Sequence, residues 1–225
     1  MMRGAALVVA LVIAGACTRG ATAQQPAPVP ADASQPSATD TIGLVPPGFG
    51  SLRQDDIALR LSIENVQVKL VPLDERVIRT LSPDSYRALR DLVTSRNEQL
   101  SRFVQRHGLR ERHLFYVTFY GLAPDARFSP LDLTLSASGR EFRPLEVLPL
   151  SARFGEQRLQ PRETQSAIYL FEDGLDEAQP FVVRMGTDSN SEWANTLRLL
   201  DRERSLIRSR ASQRREVRPT VPPAR

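Results

Sequence analysis

From Ile57 onward every second residue is apolar: Ile57, Leu59, Leu61 and Ile63 fall on one side, with Ala58, Arg60 and Ser62 on the other. An extended strand returns side chains to one face at that period, so this stretch commits the chain to a sheet with a buried face. Glu64 and Asn65 interrupt the run, and Val66, Val68 and Leu70 resume it as a second strand ending at Pro72. Residues 114–122 (LFYVTFYGL) are instead aromatic on both faces, which predicts a central strand covered on both sides. Leu131, Leu133 and Leu135 alternate again, Ser138-Gly139 makes a turn, and residues 141–145 begin a return strand that Pro144 and Pro149 mark as irregular or at an edge. Residues 158–164 read as a short strand and turn. Residues 165–171 and 180–185 give two more strands, joined by the acidic loop 172–179. About seven strands with closely spaced turn signals predict an antiparallel β-sandwich.

Helices are added to this β framework. Ser82-Pro83-Asp84 supplies a cap, a proline at the first helical position and an acid in the first turn. Tyr86, Leu89, Leu92, Val93, Leu100, Phe103 and Val104 then recur at three- and four-residue spacing, and Gly108 is a natural stop. The spacing predicts one long helix over residues 83–107, packed along a sheet face as the second cover of the central strand. Ser189 and Glu192 have capping-box spacing ahead of the stripe Trp193, Leu197, Leu200 and Ile207, which predicts a C-terminal helix over residues 190–211.

The two ends are of different composition. Arg3 precedes ten unbroken apolar residues, 5–14, which matches a secretory signal and is too short to span a bilayer. Two processing sites are open: cleavage after Ala21-Thr22-Ala23, releasing a chain from residue 24, or lipidation of Cys17 after Ala14-Gly15-Ala16. Either places the domain outside the cytoplasm, in the periplasm, secreted or held on a membrane. Residues 24–50 are rich in Pro, Ala, Ser and Gln and read as a disordered tether. Residues 51–211 are then the folded domain, and 212–225 a disordered basic tail. The net charge of +4 over 225 residues is concentrated at the end: the last twenty residues hold six arginines and one acid, so the remainder is near neutral. Arg208, Arg210, Arg214, Arg215 and Arg218 are the candidate contacts to an anionic lipid or glycan of the envelope. Export argues against nucleic acid as the partner.

The stretches LDLTLSASGREFRPLEVLPL, RLQPRETQSAIYLFEDGL and PFVVRMG carry a resemblance. Gly139, Phe142 and Pro144, then Leu159, Pro161 and Glu163, then Ala167 and Phe171 stand in an order that resembles the distal half of the immunoglobulin-like, telokin-type sandwiches of bacterial exported proteins and lipoproteins. The likeness covers about one third of the chain. It implies an immunoglobulin-like fold, from whose pattern the long helix and the C-terminal helix depart, and no catalytic residues, since that group has none fixed.

Candidate chemistry is sparse. One cysteine and two histidines leave little for a disulfide framework or a soft metal site. His107 ends the long helix and His113 precedes the central strand, and each reads as structural or capping, with no G-x-S-x-G for a hydrolase of the Ser-His-Asp type. The acidic loop 172–177 offers oxygen ligands for calcium but reads as a solvated turn, and the run 188–192 imitates part of a calcium loop but lacks its glycine and its 12-residue spacing. No metal or cofactor is therefore expected. The aromatic strand reads as core, and Trp193 as an anchor against the sheet. These readings point to a non-catalytic exported envelope protein, tethered by its flexible linker, that serves envelope structure or contacts another envelope protein. The alternatives are a module binding a small ligand or glycan in the cleft between the long helix and the sheet, and, last, a hydrolase.

Overall fold

The computed structural model describes residues 44–216; the leader with Cys17, the tether through residue 43 and the last nine residues, Arg218 among them, lie outside the described residues. In chain order the strands are β1 (Leu59–Ile63), β2 (Val66–Pro72), β3 (His113–Gly121), β4 (Ala126–Arg127), β5 (Leu133–Ala137), β6 (Arg140–Phe142), β7 (Pro144–Pro149), β8 (Arg158–Leu159), β9 (Thr164–Phe171), β10 (Val182–Met185) and β11 (Asp188–Asn190). The helices are α1 (Glu75–Ile78), α2 (Pro83–Ser95), α3 (Asn97–His107) and α4 (Trp193–Glu216). A five-stranded sheet runs β1-β2-β3-β9-β7, a four-stranded sheet β11-β10-β5-β6, and β4 pairs with β8. Every pairing between these strands is antiparallel, so the chain is mainly β with helices added.

β3 lies third of five, and register divides its faces. Val117 stands opposite Leu70 and Ala167, and Phe115 opposite Tyr169, so these side chains share one face. All five are 0% exposed. This face meets aromatics that lead into the second sheet: Phe115 packs edge-on against Phe181 just before β10, and Phe119 stacks on Phe128 ahead of β5. In that second sheet Leu135, Val183 and Phe142 stand opposite one another and are likewise buried. On the other face of β3, Tyr116, Thr118 and Tyr120 are only half-buried, so the expected cover there is partial.

The expected single helix is two. The Ser95 hydroxyl donates to the Leu92 carbonyl, the acceptor that the Arg96 amide would use in a continuous α-helix, and that amide turns to Val93 instead. Arg96 takes φ −110°, ψ 5°, α2 ends, and α3 starts afresh. Both helices keep their apolar stripe on the core, with Tyr86, Leu89 and Leu100 buried. Gly108, at φ 63°, stops α3 as a left-handed cap, and Arg106 and His107 pair with Glu146 of β7.

The return strand also divides. β6 pairs with β5, the chain passes to the other sheet at Arg143, and β7 pairs with β9 with an irregularity between Pro144 and Glu146. β7 forms one edge of the five-stranded sheet, blunted by its two prolines. The opposite edge, β1, is covered by side chains of β11: Asp188 accepts the Ser62 amide at 2.7 Å, and the Asn190 amide donates to the Arg60 carbonyl at 2.9 Å. Those duties keep residues 188–190 in a strand. Ser189 stands opposite Arg184 in β11 rather than capping a helix, and α4 begins at Trp193 and runs through Glu216, beyond the expected 190–211. Residues 212–216, expected in the disordered tail, are thus helical.

Trp193, Leu200 and Ile207 recur every seven residues on α4 and are 0% exposed, roughly 2 kcal/mol of burial each. The helix also meets chain before residue 51, where Arg210 donates to the Phe49 carbonyl. Val45 is buried, Leu52 bridges Leu81 in parallel, and a Cβ on Gly50 would stand 2.2 Å from the Thr80 carbonyl oxygen. The end of the expected tether is therefore built into the fold, and glycine is required where it passes α1.

Candidate functional site

Both ends of β3 gather charged residues. At its first residue, register places His113 opposite Phe171, on the buried face, and the imidazole is 3% exposed. Its Nδ1 lies 3.0 Å from a carboxylate oxygen of Glu177, which is 2% exposed in the loop between β9 and β10. The Glu177 backbone carbonyl accepts the Trp193 indole at 2.9 Å, so the same residue anchors α4. Arg76 of α1 reaches the second carboxylate oxygen at 3.5 Å while forking onto Asp74 and touching Asp176. Burial opposes charge on His113, but the hydrogen bond and negative charge of Glu177, with Glu111 and Asp173 behind it, outweigh burial and raise its pKa above the ordinary histidine value. The Nε2 atom has no hydrogen-bond partner among the described residues; Glu111 stands 3.4 Å away but out of line. This is half of an acid–base relay, an imidazole oriented by a carboxylate, and among the described residues no hydroxyl meets its other nitrogen.

Above His113 lies an open polar recess of about 640 Å³, lined by Arg110, Glu111, Arg140 and Asp173 between Gly108 and Gly174. Asp173 accepts the backbone N–H groups of Arg110 and Glu111, which holds its carboxyl below the usual range. Glu172 pairs with Arg140 at 2.7 Å, and Asp176 accepts the Ala178 amide. The loop carboxylates considered for calcium thus bind nitrogen donors. In the second stretch the Asp188 carboxylate accepts the Ser62 and Ser189 amides, and the Asn190 side-chain oxygen accepts the Glu192 amide.

At the other end of β3 a second recess, about 340 Å³, opens between the β1–β2 turn, the segment from β4 to β5, and the β10–β11 turn. Val66, Phe128 and Met185, all under 7% exposed, form its apolar floor with Ile63. Glu64 and Asp132 stand on its rim, and neither makes an ion pair among the described residues. Arg127, also on the rim, is 3.8 Å from Asp125, which binds Arg158 more closely at 3.3 Å. Two exposed leucines are joined to its segments through the backbone: Leu131, 66% exposed, precedes Asp132 in the chain, and the amide of Leu122, 53% exposed, bonds the Asn65 carbonyl of the β1–β2 turn.

The arginines singled out in the sequence are dispersed. Arg208 is exposed on α4, whereas Arg210 donates to Glu203 at 2.7 Å and to the Phe49 carbonyl at 2.8 Å. Arg214 lies over the Phe49 ring, Arg215 continues α4, and Arg218 and Cys17 lie outside the described residues. Glu203, 5% exposed, also accepts the Ser51 amide and hydroxyl, tying α4 to the start of the domain. Glu203, and the pairing of Arg210 with it, escaped the sequence reading. The signal was their position, three residues beyond Leu200 and Ile207 on the buried stripe.

No protein-family model, curated protein or solved structure matches this chain. Among the described residues no helix is long and apolar enough to cross a membrane.

Proposed function

We propose that this chain is a non-catalytic extracytoplasmic module, an immunoglobulin-like sandwich with helices added, that works by contact with another envelope protein. The observation carrying this reading is the recess at the Gly121 end of β3. It combines an apolar floor with rim carboxylates that make no ion pair among the described residues, and the exposed Leu131 directly precedes the rim residue Asp132 in the chain. Apolar surface clustered with polar rim groups is the usual anatomy of a protein contact. The apolar leader and the proline-rich tether support an extracytoplasmic position.

The test is a photo-crosslinking residue at Leu131 in the full chain, with the same group at Arg198 as control and cell fractions separated. A discrete envelope adduct from position 131 alone is expected. A chain retained in the cytoplasm, or adducts of equal yield from both positions, would overturn the reading. Comparison with Cys17→Ser separates the two processing routes: loss of membrane association in that variant marks lipidation, and no change marks simple cleavage.

A small ligand or glycan is the second reading, favoured by the polar recess above His113, where Arg110, Arg140 and Asp173 offer donors and acceptors over a glycine-flanked floor. Arg140→Ala should then abolish a sugar-induced rise in melting temperature. Absence of any such rise across a panel of envelope sugars would remove this alternative.

A further inference from the structure

Resting on the module reading above, we infer that the recess at the Gly121 end of β3 takes an aliphatic side chain from a polypeptide segment in which lysine or arginine flanks that residue. Its volume of about 340 Å³ lies at the small end of ligand cavities and suits a side-chain anchor. Val66, Phe128 and Met185 offer no buried polar partner at the floor, and the Met185 thioether adapts to the shape of what enters. The floor therefore selects an apolar group.

The rim selects charge. Glu64 and Asp132 face the opening without an ion pair among the described residues, and Asp188 stands opposite Met185 in the β10–β11 pair. Against these carboxylates, Arg127 is the basic lining residue, with Asp125 beside it. The field at the mouth is negative. It attracts a cationic segment and repels anionic head groups or nucleic acid.

Backbone conformation gives a second, separate indication. Glu64 has φ 47° in the two-residue loop between β1 and β2. Glycine or asparagine adopts that region with less strain, so a glutamate there is held against a local preference that favours a different residue. Its carboxylate is what the substitution would lose.

Size points to a polypeptide over a small molecule. Leu131, 66% exposed, lies outside the recess and directly precedes its lining residue Asp132 in the chain, so an occupant that also covers it extends beyond the cavity. It does not add as a strand to β1, whose outward groups at Arg60 and Ser62 are taken by Asn190 and Asp188.

Selection of a displayed random peptide library on the purified full chain tests this. Enriched peptides should place Leu, Ile, Val or Met beside Lys or Arg. A synthetic hit should bind about fivefold more weakly to Glu64→Gln and to Asp132→Asn, and more weakly as salt rises. Leu131→Ser should also weaken binding with an unchanged melting temperature and unchanged Trp193 emission, which separates loss of contact from loss of fold. If enriched peptides lack a cation yet still lose affinity on Leu131→Ser, the cationic assignment fails and the module reading survives. If nothing is enriched, or if binding ignores all three variants, both fall.

Discussion

The two ends of β3 hold similar inventories of charge in opposite conditions. At His113 the carboxylate of Glu177 is buried and engaged with the imidazole, its backbone carbonyl holds the Trp193 indole, and Arg76 closes the far side. At Gly121 the carboxylates of Glu64 and Asp132 stand in water over an apolar floor. Across roughly 26 Å, the length of nine strand residues, the same chemistry passes from holding the fold together to facing outward. The difference separates charge that stabilises from charge that is left for something else. Buried charge cannot lose its partner without penalty, whereas exposed charge can be replaced with little effect on the fold.

Trp193→Ala should have the largest effect, about 4 kcal/mol, because it empties a fully buried site against Phe181 and leaves the Glu177 carbonyl without its indole donor. Urea unfolding measures it. His113→Ala comes next at about 3 kcal/mol, since Glu177 would remain as a buried carboxylate with Arg76 at 3.5 Å. A loss below about 1 kcal/mol for either variant would break the comparison, by showing that this end is no more committed to the fold than an ordinary surface pair.

The same node makes stability depend on pH in a definite direction. His113 has a folded pKa above its reference value of 6.5. Below that reference value both the folded and unfolded forms hold the proton, and the contribution of the pair is full. As pH rises through the higher folded value the proton is lost, the attraction to Glu177 goes with it, and stability falls. The urea midpoint of the wild type should therefore decline as pH rises above the reference value of 6.5, and His113→Gln should flatten that decline. A midpoint that rises there, or a decline untouched by the variant, would remove His113 as its source.

The contrast between the ends also explains what could be read from the sequence. The two-residue period in β1 and β2 is local, and those strands were legible because a period needs no knowledge of distant chain. So was the stop at Gly108, where one residue type answers one backbone conformation. The division of the long helix was not, although its cause is also local. A serine hydroxyl competing for one carbonyl leaves the apolar spacing intact while redirecting a single hydrogen bond. The switch between sheets at Arg143 and the burial of Glu177 and Glu203 depended on distant partners. His113 is 64 residues from Glu177, and Ser51 is 152 from Glu203. The recess at Gly121 was hidden for the same reason, because its parts come from three turns far apart in the chain.

The smallest expected effect has the opposite sign. Glu64→Asn should stabilise the protein by about 0.5 kcal/mol, since asparagine tolerates the left-handed backbone at φ 47° better than glutamate. It also removes a rim carboxylate that makes no ion pair among the described residues, so no fold-holding contact is lost in exchange. If that gain is accompanied by weaker binding of a cationic peptide, residue 64 trades stability for recognition, as strained functional positions do. Destabilisation by the variant would instead show that Glu64 supports the β1–β2 turn itself, and the two ends of β3 would then differ in degree alone.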